Sequence, residues 1–170
     1  MWFRGLGRPV LILALAVAAS PTAATAPSDT GERFGWPLSP RPAVTHPFEK
    51  PQQRWNRGHR GVDLAGATAQ RVIAAGPGVV VFAGVLAGRP LVSLEHRGGL
   101  RTTYEPVTPL VQPGQRVEEG SVIGVLQRGH AGCPTSACLH WGALRGPASS
   151  AHYLNPLGLL AATPLRLKPL

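Results

Sequence analysis

Three residues of the types that bind zinc stand in two short segments of the chain. His59 and Asp63 are four positions apart with Gly61 between them, and His140 follows much later. On an extended strand this even spacing puts His59 and Asp63 on one face, whereas in a tight loop Gly61 allows them to converge. Zinc sites open to catalysis use three protein ligands and keep one position for water. Each pattern alone is common, so the prediction of a zinc site depends on their order along the chain.

A cysteine lies on the same predicted face as the last histidine. The stretch around His140 alternates like a strand, so Cys138 and His140 face one way while Leu139 and Trp141 face the other. A third ligand at His140 therefore brings Cys138 to the metal side.

Residues 1–26 have the pattern of a signal peptide. Arg4 and Arg8 precede an apolar run over 9–19 that is too short to cross a bilayer as a helix. Small residues follow, with cleavage expected after Ala24 or Ala26. The sequence predicts a secreted or cell-envelope protein, and an uncleaved membrane anchor is the less favoured alternative.

The two cysteines indicate the redox compartment, and the net charge indicates the kind of partner. Cys133 and Cys138 are expected to pair in an oxidising space, which stabilises the fold by about 2 kcal/mol. The alternative is two free thiols, or thiolates on a metal. The formal charge of +9 favours an anionic surface such as a cell-wall polymer, or reflects only an arginine-rich proteome. The predicted export and the scattered arginines argue against a nucleic-acid partner.

The remaining pattern predicts one all-β domain. We expect a disordered linker over 27–35, the domain over 36–163 with a proline-rich extended lead-in, and a tail over 164–170. Short β-branched runs alternate with glycine turns, which is typical of strands. These runs cover 72–75, 78–84, 91–96, 101–104, 115–117 and 121–126. The predicted fold is barrel-sandwich-like, built from short antiparallel strands with glycine-rich hairpins, and one helix is expected over 155–162.

The segment 111–124 repeats valine and glycine at fixed steps. Such a segment predicts a tight hairpin in which glycines take positive φ and valines point inward. Biotin and lipoyl carriers also contain it, but a carrier needs a lysine on a hairpin tip. Neither Lys50 nor Lys168 has that setting, which excludes the carrier function.

Taken in order, these motifs resemble the lysostaphin-type zinc metallopeptidases. The resemblance spans about 36–160 and includes His-Arg-Gly-Val-Asp, the strand runs, Thr103-Tyr104, the valine-glycine segment and Leu139-His140-Trp141. It implies zinc held by His59, Asp63 and His140, and action on the peptides of bacterial peptidoglycan. It also implies a substrate groove, near which we place Tyr104 and His96.

The chain departs from this family at both catalytic histidine positions, which are occupied by Pro106 and Cys138. Losing a positioned general base costs about 10²–10⁴-fold in rate. Strand alternation predicts that Glu105 turns away from the lost histidine, and His130 is interpreted as a loop histidine that could swing toward the metal. A bridge to Cys133 would prevent Cys138 from binding zinc.

The predicted metal-binding residues and the substituted catalytic positions together leave two possible functions. The first is an exported zinc metallopeptidase-like protein that acts slowly on peptidoglycan peptides. The second is a catalytically inactive domain that keeps the metal site and binds the cell wall or a partner wall hydrolase.

Overall fold

The computed structural model describes Met1 and residues 34–53, 55–129, 132–147 and 150–160. Eleven strands and two short 3₁₀ segments are found there. The strands are β1 Val44–His46, β2 Gly61–Gly66, β3 Arg71–Ile73, β4 Gly78–Leu86, β5 Arg89–Glu95, β6 Leu100–Glu105, β7 Val107–Pro109, β8 Arg116–Val117, β9 Val122–Leu126, β10 Ala137–Arg145 and β11 His152–Leu154. The 3₁₀ segments are Arg97–Gly99 and Pro156–Leu159. The predicted all-β class is confirmed.

The described strands form two antiparallel sheets. The larger has the order β1-β2-β10-β6-β5-β4-β8, with β11 paired to the end of β10 beyond β2. The smaller has the order β3-β9-β7. Both orders are open, so the two sheets form a sandwich rather than a closed barrel. No helix in the described part of the chain is long and apolar enough to span a membrane.

The core is made by the inward faces of the alternating strands. Val62 and Leu64 of β2 and Leu139 and Trp141 of β10 are fully buried. They alternate with side chains that face the other way, as a pleated strand requires. Burial of these large apolar side chains fixes which face of β2 and β10 is left for polar residues.

The glycines of the valine-glycine segment take the predicted turn conformation, but the strands beside them do not form the predicted hairpin. Gly114 and Gly120 take positive φ of 88° and 83°, as the valine-glycine pattern predicts. However, β8 pairs with β4 in the larger sheet, while β9 pairs with β3 and β7 in the smaller one. The segment therefore carries the chain between the sheets instead of forming one hairpin, because Val117 and Ile123 bury against different strands.

The predicted helix near the C-terminus is shorter than expected. Asn155 caps it as predicted, accepting a hydrogen bond from the Leu157 amide at 3.1 Å. The segment is a single 3₁₀ turn, and Leu160 is already extended with φ −63° and ψ 131°. Leu160 forms a β-bridge with Phe34, so backbone pairing ends the turn. The predicted signal peptide, the C-terminal tail and His130 lie outside the described residues.

Candidate metal centre

The structure brings His59, Asp63 and His140 together at one end of the larger sheet. His140 of β10 stands directly opposite Asp63 of β2 in the antiparallel register. The Nδ1 atom of His140 is 2.9 Å from Oδ1 of Asp63, and Nε2 of His59 is 3.1 Å from that oxygen. Nε2 of His59 is also 3.0 Å from Nδ1 of His140. Three atoms able to bind a metal thus form a nearly equilateral triangle.

His59 is held in one orientation by the lead-in segment. Its backbone pairs with that of Glu49, and its Nδ1 lies 2.7 Å from the carbonyl oxygen of Pro47. Because a carbonyl oxygen only accepts, Nδ1 of His59 carries a proton and donates it. In the neutral form of the ring, Nε2 then presents its lone pair to Asp63 and His140. Orientation of a ligand histidine by a second hydrogen bond is typical of protein metal sites.

The donor set fits zinc in both chemistry and spacing. Nε2 of His59 and Oδ1 of Asp63 lie 3.1 Å apart, and either a proton on Nε2 or a cation shared by the two atoms stabilises this approach. Ligands bound at about 2.0–2.1 Å in a tetrahedron stand roughly 3.3 Å apart, close to the sides of this triangle. Asp63 is only 3% exposed, and positive charge at the triangle stabilises a carboxylate in such a buried place.

A glycine is required where β2 begins. A Cβ atom at Gly61 would lie 2.5 Å from the carbonyl oxygen of Trp141 and 2.6 Å from Nε2 of His140. Gly61 therefore lets the His140 ring lie against the backbone of β2. Its place between His59 and Asp63 reflects this close approach.

A row of polar side chains crosses four neighbouring strands at the triangle. The register opposes His46 to Asp63, Asp63 to His140, and His140 to Glu105. These residues line an open cavity of about 590 Å³ together with His59 and Arg89. Directly opposed residues lie within contact range in an antiparallel sheet. The metal centre is therefore part of a longer polar groove.

Glu105 faces this groove, which corrects the expectation that alternation turns it away. It stands opposite His140 on β6, and its carboxylate accepts a hydrogen bond from Nη1 of Arg89 at 2.8 Å. The expectation was wrong because it placed the groove on the face of Tyr104. That face is the core, where Tyr104 stands opposite Trp141.

His46 is the residue of the cluster that sequence reasoning missed. Its ring stacks on that of His59 with centroids 4.0 Å apart and planes 10° apart. One ligand atom from each of His46, His59 and Asp63 lies within 4.8 Å of the others. Only the pairing of β1 with β2 brings His46 to Asp63, and nothing in the local sequence indicates that pairing.

Tyr104 and His96, expected near the groove, are core residues, so this placement is also corrected. Tyr104 is fully buried, and its hydroxyl accepts from the Ala75 amide at 3.1 Å and bonds the Thr102 hydroxyl at 3.0 Å. Burial raises the pKa of Tyr104 above its usual range near 10. The ring of His96 lies between the Pro77 carbonyl and the Thr102 hydroxyl, each at 2.7 Å. Both side chains therefore hydrogen-bond to Thr102 of β6 within the core.

At the two positions where the resemblance expects catalytic histidines, this chain offers no base. Pro106 separates β6 from β7 and has no titratable group. Cys138 is fully buried and forms a disulfide with Cys133, as predicted. A bridged sulfur is neither a general base nor a thiolate ligand, so the alternatives of free thiols and of a zinc-bound Cys138 are removed.

A second cavity of about 360 Å³ adjoins the groove. It shares Arg60 and Tyr153 with the first and is also lined by Lys50, Ser150 and His152. The guanidinium of Arg60 lies over the ring of Tyr153, 5.5 Å from its centroid. The region between the two cavities is thus rich in basic side chains.

Comparisons with known proteins agree with this geometry. The model of peptidase family M23 matches residues 57–156, which is more than half of the chain. The chain belongs to peptidase family M23, and the resemblance to lysostaphin-type metallopeptidases is confirmed. The chain is 58% identical over 167 residues to Rv2891 of Mycobacterium tuberculosis and to Mb2915 of Mycobacterium bovis. The match covers 98% of this chain but only 66% of those relatives' length.

Solved structures show the same fold. Csd3 of Helicobacter pylori superposes with a TM-score of 0.59 at 24% identity, covering 81% of this chain and 37% of that one. A chain of the SpoIIIAH–SpoIIQ complex gives 0.60 at 22% identity, covering 75% of this chain and all of that one. The catalytic domain of the antimicrobial peptidase lysostaphin from Staphylococcus simulans gives 0.55 at 23% identity, covering 69% and 90%.

Proposed function

We propose that this chain is an exported, zinc-dependent metallopeptidase-family protein that acts slowly on peptidoglycan peptides. The observation that carries the proposal is the convergence of His59, Asp63 and His140 within an open groove of a peptidase family M23 domain. A pure scaffold has no need for three buried or half-buried metal-binding side chains. Zinc in such a site polarises a carbonyl group and lowers the pKa of bound water.

The side chains of the groove suit a charged peptide. Arg89 and Glu105 form an ion pair in the wall beside His140, which offers one positive and one negative group to a bound chain. Lys50 and Arg60 at the adjoining cavity add positive charge that suits carboxylates. Peptidoglycan peptides carry both amines and carboxylates, and the +9 net charge also suits an anionic wall polymer.

Slow hydrolysis follows from the two substituted positions. Loss of a positioned general base costs about 10²–10⁴-fold, and loss of a donor to the developing oxyanion costs a further ~10²–10³-fold if the effects are independent. Pro106 and the bridged Cys138 provide neither group.

Export is supported by two independent features. Residues 1–26 have the composition of a signal peptide. The disulfide between Cys133 and Cys138 suits an oxidising compartment, since such bridges are rare in the reducing cytosol. We therefore place the mature protein in the cell envelope or outside the cell.

The second candidate is a domain that binds the wall, or a partner wall hydrolase, without cutting. The bridge at Cys138 favours it, because the sulfur occupies the position of a catalytic histidine and braces β10 two residues before His140. The metal would then hold the groove in shape for binding.

Digestion of purified cell wall separates the two functions. Zinc-loaded protein is compared with Asp63→Ala, which removes the central metal-binding side chain, and new amine ends are counted over time. Amine ends that appear only with the unmodified protein establish hydrolysis. Wall binding without new amine ends would support the binding function and refute hydrolysis.

A further inference from the structure

We propose that His46 binds the metal ion together with His59, Asp63 and His140, so that four protein side chains surround it. The inference rests on the metal site of the proposed function and concerns a residue outside the family motif. His46 would fill the coordination position that catalytic zinc centres keep open for water, so the slow hydrolysis proposed above requires His46 to leave the metal.

The first argument is the position of His46 in the sheet. It ends β1, whose partner is β2, and its register partner is Asp63. Asp63 is therefore flanked by His46 on one side and by His140 on the other. The register with β2 shifts between Val44 and His46, and such irregularities at a strand end often set the direction of a functional side chain.

The contacts of His46 carry the second step. Its Nδ1 lies 3.5 Å from Oδ2 of Asp63, the oxygen that the triangle does not use. Its ring covers the outer face of the His59 ring. A donor atom of His46 thus lies within 4.8 Å of those of Asp63 and His59, on the solvent side of the centre.

The third argument is that the side chain of His46 can rotate. Its side chain is 50% exposed, and its other nitrogen is 3.7 Å from the carboxylate of Glu49, which is 61% exposed. A surface pair of this kind is worth little, so a small rotation of the ring toward the metal is cheap. Because an imidazole lone pair lies in the plane of its ring, this rotation has to tilt His46 out of its stack on His59 so that both nitrogens point at one ion. No core contact of His46 has to be broken.

The rest of the centre agrees with a closed site. Pro106 and the bridged Cys138 remove the groups that would use a metal-bound water. A fourth protein ligand removes the water itself. With His46 bound, water reaches the metal only when that ring leaves, which adds to the two substitutions as a reason for slow hydrolysis.

X-ray absorption on the zinc-loaded full chain counts the imidazoles on the metal. We expect three imidazoles per zinc in the unmodified protein and two in His46→Ala. His152→Ala is the matched control, because His152 lies in β11 at the adjoining cavity, and it should keep three. Circular dichroism without metal confirms that each variant folds, and His46→Gln provides a second variant of similar size.

Two further readouts decide the coordination. Zinc affinity should fall in His46→Ala by more than the 10–100-fold typical of a residue that only orients a ligand. Azide should leave the visible spectrum of the cobalt-substituted protein unchanged and should shift that of His46→Ala. Zinc bound with two imidazoles in the unmodified protein, or equal azide shifts in both proteins, would overturn the role of His46 while leaving the metal site intact. Failure of the chain to bind zinc would instead overturn the proposed function with it.

Discussion

Gly61→Ala tests whether the close packing of β2 on β10 builds the metal centre. The added Cβ would lie 2.5 Å from the carbonyl oxygen of Trp141, about 0.9 Å inside the 3.4 Å at which ordinary contact begins. That oxygen belongs to the middle of β10, where the strand is paired on both sides. Backbone that is paired on both sides resists the shift that this contact requires, and the ring of His140, 2.6 Å from the same Cβ, has to move as well.

The size of the effect follows from this overlap. Overpacking a well-packed site costs about 1–3 kcal/mol of unfolding free energy. A shift of about 0.8 Å would bring the His140 ring to ordinary contact distance, whereas metal–ligand distances tolerate only about 0.2 Å. We expect zinc affinity to fall about 10–100-fold, the loss seen when a ligand is no longer correctly oriented.

The assay is a zinc competition titration against a chromogenic chelator, with urea unfolding of the metal-free protein alongside. Gly158→Ala is the matched control, because a Cβ there meets no atom within 4 Å. The control should retain both affinity and stability. Unchanged zinc affinity and stability in Gly61→Ala would refute the packing argument.

Three more predictions concern the bridge, the metal and the core. Replacing Cys133 and Cys138 by serine should lower the unfolding free energy by about 2 kcal/mol in urea melts; no change would refute bracing by the disulfide. Bound zinc should dissociate on acidification, because its histidine ligands must be neutral, and dialysis that finds zinc retained well below about pH 4 contradicts the ligand set. Burial raises the pKa of Tyr104 in the folded state, so unfolded chains ionise first and stability should fall as the pH rises above about 10. Urea midpoints between about pH 8 and 11 measure this loss, which Tyr104→Phe should reduce; an equal loss in that variant would contradict it.

Local sequence patterns were sufficient for most strands and turns. Runs of β-branched residues between glycines predict β4, β5, β6 and β9 to within a few residues, because pleated strands and positive-φ turns have strong local preferences. The short strands β3 and β8 overlap predicted runs, whereas β1, β7 and β11, with three residues each, overlap none. Their existence depends on the longer strands beside them.

The faces of the strands were predicted less well than their positions. Alternation correctly separates His140 from Trp141, since Trp141 is too large and apolar to remain outside. On β6, Tyr104 and Thr102 carry hydroxyls yet face inward, where a hydrogen-bonded chain from His96 to the Ala75 amide satisfies them. Because these polar side chains find buried partners, the face of Tyr104 is the core face of β6, and Glu105 faces the groove instead.

The sequence by itself determined the family, the converging residues His59, Asp63 and His140, and the presence of Pro106 and Cys138 where the resemblance expects catalytic histidines. Residue types and order carry that information without any contact. Only the tertiary structure decided which other groups join them. His46 and Glu105 come from strands separated from β2 and β10 by long stretches of chain, and their register with Asp63 and His140 is fixed by burial on the opposite face. Pairing between distant strands depends on the packing of the whole sandwich, so no local pattern specifies it.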